Sequence, residues 1–195
     1  MPDGRSRCGW VGREAGMIAY HDTEWGVPVS DDHRHFKFLV LDAFQAGLSW
    51  AVILRKREAF REAFCGFDPV AVSSFTDVDL KRLQHNASIV RNRLKIEATV
   101  SNAARFLEIQ DEVGTFDSFI WSFTEGRTVR NEWPDLARVP AHTGESERMS
   151  KALRRWGFRF VGPTICYAYM QAAGMVNDHT TSCFRYEEVN RLARR

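Results

Sequence analysis

The chain has 195 residues, 44% of them hydrophobic and 27% charged, which is enough apolar material for one folded domain and too much for a disordered chain. Its 27 Lys and Arg residues against 25 Asp and Glu leave a net charge of +2, which favours a polyanionic partner only weakly. No apolar run approaches the roughly 20 residues that span a bilayer, and no signal-peptide pattern follows the first residue. We therefore expect a single domain over residues 1–195 that is soluble and cytoplasmic, with no membrane partner.

The N-terminal part of the chain combines an irregular arm with helical segments. The arm, residues 1–28, shows no regular apolar spacing. An apolar helical segment opens at His35 and ends at the Gly47 break. Ser49 is suited to cap a second helix, and Pro69 suits the first turn of a later, short one.

The rest of the chain also has helical spacing. Residues 89–107 predict the longest helix, and 116–123, 146–156 and 162–173 predict three more. A longer loop spans 124–143. The two-residue alternation typical of strands never continues beyond a few residues. The sequence therefore predicts an all-α fold with short connections.

The four cysteines are spread over the whole chain. Without a signal peptide, we expect reduced thiols rather than disulfides. Cys65 and Cys166 lie in apolar surroundings, and we expect both to be buried, inert thiols. The outer two, Cys8 and Cys183, are accompanied by histidines.

Two pairs of potential metal ligands lie near the two ends of the chain. Cys8 and His21 are separated by twelve residues, and His179 and Cys183 form a His-x-x-x-Cys pattern. Tetrahedral zinc prefers thiolates and imidazoles, and four protein ligands leave no open position for water, so such a zinc is structural. It would join the arm to the tail, residues 176–195. Spacing alone equally allows two ordinary buried cysteines and two unrelated histidines.

Several aromatic residues stand beside polar ones in non-periodic sequence. Trp10, Tyr20 and Trp25 lie in the arm, and Trp50 lies just after Gly47. Stacking between a nucleobase and an aromatic side chain contributes roughly 1–3 kcal/mol per base, so two such faces could hold an extruded base. The alternative is that these rings only pack the arm onto the helices.

One basic segment follows a predicted turn at residues 85–88. Arg91 and Arg93 come directly after it, at the start of a helical pattern. Helix N-terminal amides there could bind a DNA phosphate, with the two cations adding an electrostatic contribution. The alternative is a solvated helix face.

Seven short segments with distinctive residue combinations run in order along the chain. They are RCGW (7–10), YHDTEWGVP (20–28), QAGLSW (45–50), LRKRE (54–58), IVRNRLKI (89–96), FVGPTICYAYMQA (160–172) and VNDH (176–179). Together they closely resemble the bacterial DNA-3-methyladenine glycosylase I family, from about residue 7 to residue 183. The resemblance implies a helix-hairpin-helix glycosylase fold and a monofunctional base-excision repair enzyme. It would hydrolyse the N-glycosidic bond of 3-methyladenine in alkylated double-stranded DNA and leave an abasic site. The resemblance also implies a structural zinc.

The zinc ligands implied by the resemblance are Cys8, His21, His179 and Cys183.

The resemblance also implies a pocket for an extruded base. Trp50 and Tyr20 would stack on the base, and Trp10 and Trp25 would line the site. Asp42 would hydrogen-bond the base or stabilise the developing sugar cation. No lysine is required, so we expect no strand-cleaving lyase step.

Candidate contacts with DNA follow from these residues taken together with the resemblance. Leu48, which follows Gly47 at the helix break, is the candidate wedge that fills the vacated base stack. The hairpin amides, together with Arg91 and Arg93, would bind phosphates of the duplex. We also expect the protein to be a monomer that binds alkylated DNA in the nucleoid.

The chain departs from the family's pattern at a few positions that bear on base preference. Asp42 stands where the family has Glu, and Met17 and Phe44 also differ from the usual surroundings. Ser88 replaces the hairpin glycine, where a left-handed backbone would be more costly. These departures leave two alternatives open: a related glycosylase for another alkylated purine, and a zinc-stapled module that binds lesions without hydrolysis.

Overall fold

The structure, a computed structural model, describes residues 4–194, so positions 1–3 of the arm and 195 of the tail lie outside it. Within this range the chain forms eleven α-helices: α1 (Ala15–Thr23), α2 (Asp32–Gln45), α3 (Trp50–Arg55), α4 (Arg57–Ala63), α5 (Pro69–Ser73), α6 (Asp77–His85), α7 (Arg93–Val113), α8 (Phe116–Trp121), α9 (Gly144–Arg155), α10 (Pro163–Ala172) and α11 (Arg185–Leu192). Two short strands, β1 (Val129–Arg130) and β2 (Val176–Asn177), pair in parallel with Val129 opposite Val176. The all-α prediction is confirmed apart from this pair.

Polar side chains set the starts of several helices. The side chains of Asp31, Asp68 and Asn92 accept hydrogen bonds from backbone N–H groups in the first turns of α2, α5 and α7, at 2.8, 2.9 and 3.1 Å. The Asn92 cap makes α7 begin at Arg93, four residues after the predicted start at 89. α7 is nonetheless the longest described helix, as predicted.

Helix α2 lies at the centre of the molecule and packs against α3, α7, α8 and α10. Phe36 and Phe44 on this helix are fully buried. Each large apolar side chain buried in this way stabilises the fold by about 1.5–3 kcal/mol. Because α2 is surrounded on most sides, Asp42 near its C-terminal end is carried into the interior.

The arm is held against the end of α10. The N–H groups of Gly26 and Val29 donate to the carbonyls of Gln171 and Ala173 at 3.1 and 3.0 Å. Gly174, at a φ of +69°, lies so close beneath the arm that a Cβ there would be 2.4 Å from the backbone nitrogen of Pro28. The arm is also not irregular throughout, because α1 lies within it. The prediction of an irregular arm is therefore wrong for residues 15–23.

The tail returns to the arm and to the long loop. The N–H of Phe184 donates to the carbonyl of Ser6 at 3.0 Å, and β2 pairs with β1 in the middle of the loop at 124–143. Neither α11 nor this strand pair was predicted from the sequence. Arm, loop and tail thus meet on one side of the helical core.

Two local predictions are wrong. Ser49 occupies the N-cap position of α3, but its side chain makes no capping hydrogen bond. Cys65 is exposed, because it begins a turn in which it, Gly66 and Phe67 all have positive φ, at 50°, 70° and 66°. That turn directs Phe67 into the core, where it is 2% exposed, and leaves the thiol outside. Cys166 is buried, as predicted.

Candidate functional site

Four buried side chains near the two ends of the chain converge in a cluster suited to a metal ion. The ligand atoms of Cys8, His21, His179 and Cys183 all lie within 4.8 Å of one another. The Cys183 Sγ atom is 3.4 Å from His21 Nε2 and 3.5 Å from His179 Nδ1, and Cys8 Sγ is 3.6 Å from His179 Nδ1. Tetrahedral zinc, with bonds of about 2.3 Å to sulfur and 2.0–2.1 Å to nitrogen, sets its S and N ligands about 3.6 Å apart. The donor set therefore fits a tetrahedral ion.

Hydrogen bonds outside the cluster hold its histidines in the required orientation. His21 Nδ1 lies 2.7 Å from Asp22 Oδ1, and His179 Nε2 lies 3.2 Å from the carbonyl oxygen of Trp25. Each ring therefore has its other nitrogen turned towards the sulfur atoms. Asp22 itself accepts hydrogen bonds from Arg7 at 2.7 to 3.1 Å. Outer partners of this kind fix the tautomer and orientation of metal-ligating histidines.

The two thiols share hydrogen-bonding partners. The hydrogen bond with Cys8, helped by His179 and His21, lowers the pKa of Cys183 to about 2. The same hydrogen bond, together with burial, raises the pKa of Cys8. A bound divalent cation would favour the thiolate form of both cysteines.

A cavity of about 630 Å³ lies beside this cluster, between α1, the end of α2, α10 and the long loop. All four predicted aromatic residues line it: Trp10, Tyr20, Trp25 and Trp50. The ring centroids of Tyr20 and Trp50 are 5.2 Å apart. Trp25 packs on both sides, because its ring is 5.0 Å from Trp10 in the pocket and 4.6 Å from His179 in the cluster.

Asp42 contributes a buried carboxyl group to the same pocket. It is 2% exposed, and its Oδ2 atom has no hydrogen-bond partner among residues 4–194. Burial raises the pKa of Asp42 well above its usual range. The group lies in the last turn of α2, where the helix dipole also disfavours negative charge. Burial thus disfavours the ionised form of Asp42, and a cation in the pocket would favour it.

Three further pocket residues were not predicted as site residues. Tyr167 and Gln171 lie one turn apart on α10, and Asp178 follows β2. Their segments were among those that carried the family resemblance. The i, i+4 spacing of Tyr167 and Gln171 was the available signal that they share a helix face.

The turn after α2 exposes Leu48. Gly47 has a φ of +80°, which glycine adopts without strain, and Leu48 is 41% exposed. The ammonium group of Lys95 donates to the carbonyls of Phe44 and Ala46 at 2.9 and 2.6 Å and holds the end of α2 in place. An apolar side chain thus projects from a rigid turn beside the pocket residue Trp50.

The turn formed by residues 86–92 connects α6 to α7. Lys56 donates to the carbonyls of Ala87 and Ser88 at 3.3 and 2.9 Å. Ser88 does not have a positive φ, so the strain expected from the loss of glycine does not arise. Arg91 and Arg93 are both exposed; Arg93 pairs with Glu97 at 2.7 Å, whereas Arg91 has no side-chain partner among residues 4–194.

Comparison with known proteins was made on sequence and on structure. The methyladenine glycosylase family model matches residues 10–186. DNA-3-methyladenine glycosylase 1 of Escherichia coli is 44% identical over 180 residues, which are 92% of this chain and 96% of that protein. A crystal structure of 3-methyladenine DNA glycosylase I superimposes with a TM-score of 0.90 at 44% identity, covering 92% of this chain and 98% of that one.

A second solved structure concerns 3-methyladenine recognition by the glycosylase I of Staphylococcus aureus. It has a TM-score of 0.89 and 34% identity, and covers 91% of this chain and 95% of that one. The helical fold thus matches that of 3-methyladenine DNA glycosylases. The chain belongs to the methyladenine glycosylase family.

Proposed function

We propose that this protein is a monofunctional DNA glycosylase that hydrolyses the N-glycosidic bond of 3-methyladenine in alkylated double-stranded DNA and leaves an abasic site. The observation that carries the proposal is the buried, unpaired carboxyl of Asp42 in an aromatic pocket. The names and structures of the relatives support the same substrate.

The chemistry demands little acid–base catalysis. Methylation at N3 makes the adenine cationic, so the bond from C1′ to N9 breaks with its electron pair retained by the base, which leaves neutral. Water adds to the resulting sugar cation at C1′ and releases one proton. The protein must first extrude the nucleotide, at a cost of a few kcal/mol that is smaller for a damaged, weakly paired base.

The pocket residues divide these tasks. The base stacks on Trp50 and Tyr20, and Trp10 and Trp25 line the site around it. Asp42 ionises next to the cationic base, accepts a hydrogen bond from it and stabilises the positive charge that develops on the sugar.

Contacts with the duplex come from the exposed turns. Leu48, presented by the Gly47 turn, fills the space that the extruded base vacates. The 86–92 turn and the first turn of α7, with Arg91 and Arg93, bind phosphates in the manner of a helix-hairpin-helix motif. These contacts position the duplex without reading its sequence.

The cluster of Cys8, His21, His179 and Cys183 would hold a structural zinc. Its two thiolates and two imidazoles would supply all four ligands of a tetrahedral ion, which would join arm and tail without a position for water. The protein acts as a monomer in the cytoplasm, at the nucleoid, where its substrate lies. None of the described helices is long and apolar enough to cross a membrane.

The decisive experiment is chromatography of the bases that purified protein releases from a methylated duplex. Release of 3-methyladenine as the main product supports the proposal. Release of a different alkylated purine would identify a related glycosylase with another substrate. Tight binding to the methylated duplex without base release would identify a lesion-binding module and overturn the proposed activity.

A further inference from the structure

A second carboxyl group lies in the wall of the base pocket. Asp178 is 1% exposed and lines the same cavity as Asp42. Four side-chain donors surround it. Asn131 Nδ2 and Trp133 Nε1 donate to Oδ1 at 2.7 and 2.8 Å, and Tyr167 Oη and Gln171 Nε2 donate to Oδ2 at 2.6 and 2.7 Å.

This arrangement is built for the ionised form of Asp178. The indole N–H of Trp133 and the amide NH₂ groups of Asn131 and Gln171 can only donate hydrogen bonds. Of the four partner groups only the Tyr167 hydroxyl could accept a hydrogen bond from a protonated Asp178, whereas a carboxylate accepts a hydrogen bond from all four.

The Asp178 carboxylate has no counter-ion in the part of the chain that the structure describes. No Lys, Arg or His forms an ion pair with it among residues 4–194, and its four donors are neutral. The adjacent Cys–His cluster would not supply the missing positive charge, because its two thiolates would cancel the charge of a bound divalent ion. A buried carboxylate is costly without a cationic partner.

The two pocket carboxyls therefore differ in what they offer before substrate arrives. Asp42 Oδ2 has no hydrogen-bond donor among the described residues and its burial disfavours a negative charge, whereas the Asp178 carboxyl accepts hydrogen bonds from four donors. The standing negative charge of the pocket belongs to Asp178. A positively charged ligand in the pocket would balance this negative charge, whereas a neutral ligand would not.

We propose that Asp178 is a specificity-determining residue that makes the pocket prefer cationic, N-alkylated bases over neutral ones. This inference rests on the proposed function. The cationic base in DNA is attracted to the carboxylate, as is the positive charge on the sugar during bond cleavage. The attraction ends when the base leaves neutral, so it does not retain the product.

The test compares two ligands that both carry the N3-methyl group: the permanent cation 3,9-dimethyladeninium and neutral 3-methyladenine. Their dissociation constants are measured by quenching of the pocket tryptophans in the zinc-loaded protein. We expect Asp178→Asn to weaken binding of the cation by about tenfold or more and binding of the neutral base by much less. Metal content and melting temperature are recorded for each variant, because His179 follows Asp178.

Further variants keep Asp178 and change only the groups that surround its carboxylate. Gln171→Lys places an ammonium group beside Asp178 Oδ2 and is expected to abolish the preference for the cation, whereas Gln171→Met is expected to retain it. Asn131→Ala removes one donor outside the pocket and should also retain it. If Asp178→Asn weakens both ligands equally, or if Gln171→Lys keeps the preference, the inference is wrong.

The outcome is separable from that of the proposed function. Failure of the parent protein to release 3-methyladenine from DNA overturns the activity. Release by the parent together with an unchanged cation preference in Asp178→Asn and Gln171→Lys overturns only the role of Asp178.

Discussion

The metal-ligand cluster and the base pocket lie side by side and share contacts with Trp25. They differ in whether their buried polar atoms have hydrogen-bond partners. In the cluster, His21 and His179 have partners on both ring nitrogens, and Cys8 accepts a further hydrogen bond from the N–H of Thr180 at 3.4 Å. In the pocket, Asp42 Oδ2 and the indole nitrogens of Trp10 and Trp50 are shielded from solvent without a partner.

The difference reflects how long each site holds its ligand. A site for a permanent ion can satisfy every donor and acceptor and so adds to stability. A site for a transient base must leave groups unsatisfied until the base arrives, and each such group costs about 1–3 kcal/mol. Ligands of the cluster should therefore control stability, and residues of the pocket should control turnover.

The largest effect is expected from removing a cluster ligand. Cys8→Ala should lose the bound zinc and several kcal/mol of stability, since structural zinc in small peptide sites contributes on the order of 10–16 kcal/mol of apparent binding. The whole amount should not be lost, because the burial of apolar side chains such as Phe36 and Phe44 on α2 does not depend on the metal. Elemental analysis and urea unfolding measure both effects. Cys166→Ala, which removes a buried thiol outside the cluster, should keep one zinc per chain. Substoichiometric zinc in the parent protein would contradict the prediction.

Removing the pocket acid should change turnover instead. Asp42→Asn should slow 3-methyladenine release by about tenfold to a thousandfold, the range for one preorganised electrostatic group. Asp42→Glu should retain or raise activity. Single-turnover excision with saturating protein measures both. Asp31→Asn, a change at the N-cap of the same helix that preserves the cap, serves as the control. An unchanged rate in Asp42→Asn would show that this carboxyl is not catalytic, and loss of activity in Asp42→Glu would show a pocket rebuilt around the shorter acid.

The same substitution should make the protein more stable at neutral pH. Burial raises the pKa of Asp42 in the folded state above its ordinary value of 3.8. Between these two values the folded state binds more protons than the unfolded state, so the contribution of Asp42 to stability falls as pH rises. Asn at this position has no such pH-dependent loss, so the Asp42→Asn variant should be more stable than the parent at pH 7. Urea unfolding from pH 4 to pH 8 should show the gap widening with pH; a variant less stable throughout would contradict this.

The smallest effect is expected at the DNA-facing turn. Arg91→Ala should weaken binding to undamaged duplex equally across sequences. It should also reduce the steepness with which the logarithm of the binding constant falls with the logarithm of salt concentration by about 0.9, the value for one phosphate contact. Arg93→Ala should act in the same direction but less, because Arg93 also pairs with Glu97. Arg105→Ala, about 20 Å further along α7, is the matched control. Binding titrations at several salt concentrations measure the slopes. Identical slopes for Arg91→Ala and the parent would show that the turn does not dock DNA.

Local patterns predicted much of the fold because apolar spacing and capping residues act over a few positions. They failed where tertiary contacts decide the structure. α1 has no side-chain cap, and it is held in place by burial of Met17, Tyr20 and His21. β1 and β2 have two residues each, too few to show alternation, and they exist because loop and tail are brought together.

The sequence by itself determined the chemistry available to this protein: two Cys–His pairs with zinc-like spacing, aromatic residues in the arm and beside the Gly47 break, and a family resemblance over nearly the whole chain. Only the tertiary structure decided which groups meet. It brings Cys8 to within 3.6 Å of His179 across 171 positions of sequence. It also leaves Asp42 without donors while giving Asp178 four, drawn from the long loop and α10. The charge of a buried carboxyl depends on donors and burial contributed by distant segments, and no local pattern encodes that environment.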